Sequence, residues 1–185
     1  MFGSTDEAAK WSDHLRAASS AAYLGTMLAT PSGDSTSTWL ENKAKGYLVG
    51  MAAWTATSVT TSTLKKTAGR ERPDGSDTES FPSGHVSRSA VFTRLASRNL
   101  DFLDLGPRTH QALDIGLDTL TIGTAWARIE AGAHFPSDTL FSMALGNFCA
   151  ELFNDAFLDP NHEGRVAVAV EPTAHGATIE WRITF

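Results

Sequence analysis

Cysteine is almost missing: Cys149 is the only one in 185 residues. One thiol cannot close an internal disulfide, so no disulfide framework holds the fold, and such a residue usually behaves as a small hydrophobe. A chain of this length buries about two thirds of its unfolded surface, enough for one domain without a structural metal. Long apolar runs are missing too. The best, Tyr47 to Trp54 and Thr139 to Phe148, are short or broken by polar residues, whereas a spanning helix needs about 20 apolar residues; no membrane span is expected. Positive charge is in deficit, with 15 Lys+Arg against 21 Asp+Glu for a net charge of -6. Such a chain repels nucleic acid and anionic headgroups at long range, which excludes nucleic acid as a partner and requires any anionic ligand to be held by a local cluster. The first residues, Met-Phe-Gly-Ser-Thr-Asp-Glu, lack the basic and apolar regions of a signal peptide. The chain therefore reads as cytoplasmic or as shown without a leader.

What is present is mostly helical periodicity, in one expected domain over residues 1–185: a bundle over 1–160 and a β-hairpin appendage over 161–185. Ala8 to Ala29 spaces Ala9, Trp11, Leu15, Ala18, Ala22, Leu24 and Met27 as one helical face, and Trp39 to Lys65 resumes the pattern. Further helices are expected from Pro82-Ser83 to about Asn99, from Pro107 to about Ile129 and from Pro136 to about Phe157, each with proline at its first position. Thr67 to Pro82 is polar and punctuated as a long loop, the kind that is usually functional. Beyond Asn161-His-Glu-Gly, alternation through Val166, Val168, Val170 and then Ile179, Trp181, Ile183 predicts the hairpin, covering one flank.

Lys65, Lys66, Arg70 and Arg72 put four cations just before that loop. Alone they would read as a solvated helix end complementing the helix dipole. Their company changes the reading: Pro82-Ser83-Gly84-His85 opens one helix, and Arg128, His134 and Asp138 surround the start of another. A phosphate needs several fixed donors around its oxygens. Arg72, Arg128, Lys65 and the N–H groups at Ser83-Gly84 supply them, on the positive end of a helix where glycine removes an obstructing Cβ. Two histidines then allow one to attack phosphorus and one to protonate the leaving oxygen. With Pro136 pinning a helix start, Asp138 falls in its first turn, within expected hydrogen-bonding reach of His134. That arrangement makes His134 the nucleophile, Asp138 its orienting partner and His85 the general acid.

Lys65-x6-Arg72-Pro73, Pro82-Ser83-Gly84-His85 and Arg128-x5-His134-x3-Asp138 together resemble the three-part signature of the type 2 phosphatidic acid phosphatase (PAP2) superfamily, which also includes bacterial acid phosphatases and vanadium haloperoxidases. The resemblance covers roughly residues 50 to 150. It implies a mainly α, PAP2-type helical bundle and hydrolysis of phosphate monoesters through a phosphohistidine, with no metal and no cofactor, vanadate or phosphate being able to occupy the site. By position, Lys65, Arg72, Ser83, Gly84 and Arg128 match phosphate-binding residues, His85 the acid, His134 the nucleophile and Asp138 its partner. Ala127 stands where the family usually has serine. The chain looks like the soluble, extracytoplasmic bacterial members, which points to the periplasm. The implied partner is a phosphorylated small molecule or a lipid phosphate; the first helix and the hairpin are also candidates for a homodimer contact.

Other readings fit less well. A metal hydrolase would use His85, His134 and Asp138 as ligands, but crowded cations oppose a metal. Ser83 lies in no G-x-S-x-G elbow and more simply caps a helix. A vanadate-dependent peroxidase would use the same anion cage, and a non-catalytic phosphate- or lipid-binding protein would not need both histidines. Phe81, Trp126 and Phe135 read as core, Glu130 and Asp74 as candidates to tune His85 or gate the mouth, and His14, His110, His162 and His175 as surface or capping residues.

Overall fold

Five helices, α1 (Thr5–Ala29), α2 (Thr36–Ala68), α3 (Gly84–Leu100), α4 (Pro107–Glu130) and α5 (Pro136–Phe157), are found in a computed structural model that describes residues 2–158 and the backbone of 166–173 and 176–183. Local chemistry sets their ends. The hydroxyls of Ser4 and Ser35 accept from the N–H groups of Glu7 and Thr38, which starts α1 and α2 three residues earlier than their apolar patterns do. Pro107 and Pro136 occupy first helical turns as expected. Pro82 does not: Ser83 is the N-cap of α3 and Gly84 its first residue, so the proline precedes the cap. Gly69 ends α2 in the left-handed conformation (φ 54°), with its N–H on the Lys65 carbonyl.

The expected fold class holds as mainly α and is corrected in its second half. The packed body is all helical, 77% of it in five helices with no strand or sheet among them, so the β-hairpin drops out of the class. Backbone pairing does join β1 (Val166–Thr173) and β2 (Gly176–Ile183) in antiparallel register from Val166↔Ile183 to Thr173↔Gly176. Alternation specifies extended backbone, but two strands alone make no layer, and the described core closes on helices without them. The tip of the hairpin and its covering of a flank lie outside the described residues.

α3 is the central helix and packs on all four others. Around its C-terminal half lies the core, where Tyr23, Met27, Ala53, Phe92, Leu95, Leu100, Leu117 and Ala150 meet and the rings of Tyr23 and Phe92 stack at 5.4 Å. The contacts are close because the facing residues are small. A Cβ on Gly146 of α5 would fall 2.5 Å from the Ser87 carbonyl oxygen of α3. Between α1, α3 and α4 the seam is built of hydroxyls: Ser19 and Ser89 meet at 2.6 Å, and Thr93 and Thr121 at 2.7 Å. α1 consequently buries Ala8, Ser12, Ser19, Tyr23 and Met27 and leaves Trp11, Ala18 and Leu24 exposed, so its inner face shares only Met27 with the core end of the expected apolar face and is built of small residues over its first half.

Candidate active site

Helix ends converge beyond the N-terminus of α3. α2 and α4 arrive with C-terminal turns carrying Lys65 and Arg128, and cations there complement the negative end of each dipole. α3 and α5 depart with first-turn N–H groups that have no acceptor within their helices. Loop 69–83 is laid across these ends by backbone bonds, Ser80 N–H to the Arg70 carbonyl at 2.9 Å and Asp74 N–H to the Gly132 carbonyl at 3.1 Å. The Ser83 N–H donates to Ser142 Oγ at 2.7 Å, fixing α3 on α5.

His134 is 2% exposed. Its Nδ1 lies 2.5 Å from the Ser80 carbonyl oxygen. A carbonyl only accepts, so Nδ1 carries the hydrogen and Nε2 keeps its lone pair. Burial holds the His134 pKa down at about 3; the Ser80 bond opposes this, and the charges of Arg128, Lys65 and Arg72 add to it. Asp138, fully buried, does not make the expected hydrogen bond to His134. Its carboxylate accepts from Ser80 Oγ at 2.5 Å, from Arg70 Nη1 at 2.6 Å and from the Phe135 N–H at 2.9 Å. The reason is position: as the third residue of α5, Asp138 folds back onto its own helix start, and Ser80 fills the gap between it and the imidazole. Arg70 also covers the Phe135 ring at 4.2 Å.

The cations expected to hold phosphate gather here. Arg128 bears electrostatically on both His134 and His85, and burial, then the charge of Arg72, lowers its own pKa. Arg72 donates from Nε to Asp77 at 2.6 Å, and the Lys65 ammonium donates to the Glu79 carbonyl. Burial and the Arg72 charge lower the Lys65 pKa. Three buried polar atoms, Ser83 Oγ, Arg128 Nε and Arg88 Nε, have no hydrogen-bond partner among the described residues, and the Arg88 guanidinium instead lies over the Trp54 ring at 4.9 Å. A Cβ on Gly84 would lie 3.8 Å from Thr61 Cγ2, an ordinary contact, so protein packing does not itself require glycine there.

His85, on the first turn of α3, lies with its Nε2 3.0 Å from Asp13 Oδ1 of α1. Burial and then the Arg128 charge lower its pKa to about 4, while the Asp13 hydrogen bond works upward. Asp13 also accepts from Arg16 at 2.9 Å.

The structure thus brings Lys65, Arg72, Ser83, Gly84, His85, Arg128, His134 and Asp138 to one end of the bundle. Asp13, Arg70, Ser80 and Ser142 complete it, none of them assigned to the site from the sequence. Arg70 was visible as one of four clustered cations; the two serines and Asp13 carry no spacing signal. Trp126, expected as core, is 52% exposed and donates to Glu130 at 2.6 Å. Glu130 also accepts from the Phe2 N–H at 3.1 Å. Phe81 and Phe135 are half-buried, Phe81 against Phe141 at 4.7 Å. His110 lies between Asp101 and Asp114 at the surface, and His162 and His175 lie outside the described residues.

No helix among the described residues is long and apolar enough to cross a membrane. No curated protein and no solved structure matches the chain. The family model described as "PAP2 superfamily" matches residues 43–159, more than half of the chain and every motif residue from Lys65 to Asp138. That family's activity is of the phosphatase or phosphoesterase type. With its match spanning the cation cluster and both histidines, the chain belongs to the PAP2 superfamily.

Proposed function

We propose that the chain hydrolyses phosphate monoesters in two steps through a phosphohistidine on His134, without a metal ion or cofactor. The observation that carries this reading is the gathering of Arg128, Lys65 and Arg72 about the buried His134, with Ser83 Oγ and Arg128 Nε among the buried polar atoms left without a partner. Leaving such atoms unpaired costs about 1–3 kcal/mol each, a cost that three phosphoryl oxygens held between Arg128, Arg72, Lys65 and the α3 N-terminus would remove.

In the first step the His134 Nε2 lone pair forms the N–P bond while the ester P–O bond breaks, and protonated His85 gives its proton to the leaving oxygen. In the second, water attacks phosphorus, neutral His85 takes the water's proton, the N–P bond breaks, and inorganic phosphate leaves. The Ser80 carbonyl keeps the proton on Nδ1 and partners it as the ring gains charge; Asp138 holds Ser80 in place. A bound phosphate dianion offsets the cations that depress His85, so substrate itself favours the protonated acid. The substrate class is a phosphorylated small molecule or a lipid phosphate, and an extracytoplasmic location belongs to the same proposal.

Hydrolysis of an aryl phosphate by the purified protein tests this, with EDTA added and orthovanadate titrated in. Turnover that survives EDTA and is blocked by vanadate supports the reading. Turnover lost to EDTA and restored by a divalent cation overturns it.

A further inference from the structure

We propose that Asp13, on α1, is the positioning residue of the proton-transferring histidine: its carboxylate accepts the Nε2–H of His85, leaving Nδ1 as the nitrogen that exchanges a proton with the leaving oxygen and then with water. The inference rests on the phosphatase reading for its kinetic consequences, and on geometry for the contact itself. Asp13 Oδ1 lies 3.0 Å from His85 Nε2 and accepts from Arg16 Nη2 at 2.9 Å, so the carboxylate is held between the imidazole and a guanidinium of its own helix. The other charges bearing on His85 are positive, Arg128 on α4 and Arg16 on α1. A protonated imidazole placed among cations is unfavourable unless a carboxylate faces it, and Asp13 is the carboxylate that does.

Nothing in the three motifs anticipates this residue. Asp13 lies upstream of the matched residues 43–159 and reaches the site because α1 packs along α3. In the reaction the proton moves from His85 Nδ1 to the leaving oxygen as the P–O bond breaks, and a proton from water returns to Nδ1 as the N–P bond is cleaved. Asp13 stays ionised throughout and touches neither substrate nor phosphorus. Its side chain is 57% exposed, so the interaction is screened by solvent and salt and its effect is partial.

The test is the isosteric variant Asp13→Asn with two readouts. In the first, kcat/KM, which reports formation of the phosphohistidine and not the second step that both esters share, is measured for phenyl phosphate, a poor leaving group that needs an acid, and for 2,4-dinitrophenyl phosphate, which does not. The expected result is a drop of about 10- to 100-fold for phenyl phosphate and less than about 2-fold for the dinitrophenyl ester, with Asp13→Glu recovering most of the loss. Equal losses on both esters, or none on either, would overturn the positioning role. In the second, the ring of His85 is titrated by NMR in both proteins without substrate. A lower His85 pKa in Asp13→Asn supports the contact and an unchanged one overturns it. Wild-type protein inactive on both esters would sink the phosphatase reading, while the titration would still decide the contact.

Discussion

Ser80 stands between His134 and Asp138: its carbonyl oxygen accepts the imidazole Nδ1–H at 2.5 Å and its hydroxyl donates to the carboxylate at 2.5 Å. One buried loop residue therefore orients the His134 imidazole, the proposed nucleophile, through its backbone and is itself fixed through its side chain. Ser80→Ala keeps the carbonyl and removes the tether. The expected loss is about 1–2 kcal/mol of transition-state stabilisation, or roughly 10-fold in kcat, with KM little changed. An unaltered kcat in a variant of normal stability would show that the tether does not serve the chemistry.

Removing the nucleophile has a different signature from removing the anion clamp. His134→Ala is expected to lose turnover by at least about 1,000-fold while inorganic phosphate still binds, because the cations remain. Arg128→Ala is expected to lose about 100- to 1,000-fold in kcat/KM and to weaken phosphate binding as well. Isothermal titration with phosphate beside the kinetics separates the two.

The pH dependence follows from two depressed histidines. His134 must be neutral to attack, and with a pKa of about 3 it is neutral across the ordinary range. His85 must be protonated to act as acid, and in the free protein its pKa is about 4. kcat/KM for a poor leaving group is thus expected to fall as pH rises above about 4, while the corresponding limb of kcat lies at higher pH, because bound phosphate raises the His85 pKa. Profiles of the two parameters on phenyl phosphate check the order of the limbs; coincident limbs would mean that substrate does not recharge His85.

The same shifts govern stability. Both histidines ionise near 6.5 when unfolded and much lower when folded, so the unfolded chain binds more protons below that pH. Stability is expected to be fully retained above pH 6.5 and to fall as pH drops from there through about 4 toward 3. Thermal melts across this range test it, and a Tm insensitive to pH between 6.5 and 4 would contradict the burial of these rings.

Gly146 tests the bundle that carries the site. An added Cβ would meet the Ser87 carbonyl at 2.5 Å, Ala90 Cβ at 2.7 Å and the Val91 nitrogen at 3.1 Å, mostly backbone that cannot swing aside. Gly146→Ala should destabilise by about 1–3 kcal/mol and, by pushing α5 off α3, disturb the Ser142–Ser83 bond. Denaturant melts measure the first effect and the retained kcat of the folded fraction the second.

Much of this site was legible because phosphate chemistry leaves marks in sequence: cations at fixed intervals, a Ser-Gly helix start and a histidine before a proline-led helix. The residues in Lys65-x6-Arg72 and Arg128-x5-His134-x3-Asp138 do lie together at one bundle end. What spacing could not show was the path of individual hydrogen bonds. Asp138 and His134 are near enough in sequence to suggest a direct bond, yet the carboxylate turns to its own helix start and a residue 58 positions upstream fills the interval. Asp13 was silent because a single acidic residue on an amphipathic helix looks like any solvated position. The inner face of α1 misled for a related reason: close helix contact selects Ala8, Ser12 and Ser19, whose small side chains give no hydrophobic signal, and leaves Trp11 outside. At the C-terminus the alternation did correspond to paired backbone, but alternation alone does not say whether a ribbon joins a core.

The central claim is that His134 carries the phosphoryl group, and trapping it is the most direct test. Protein mixed with an aryl phosphate at saturating concentration is quenched within the first turnovers into alkaline denaturant, where phosphohistidine survives, then digested and analysed by mass spectrometry. The account predicts one phosphoryl increment on the peptide containing His134, absent from His134→Ala and from protein quenched after substrate is exhausted. A phosphoryl group on Ser83, or steady turnover with no label on His134, would contradict it.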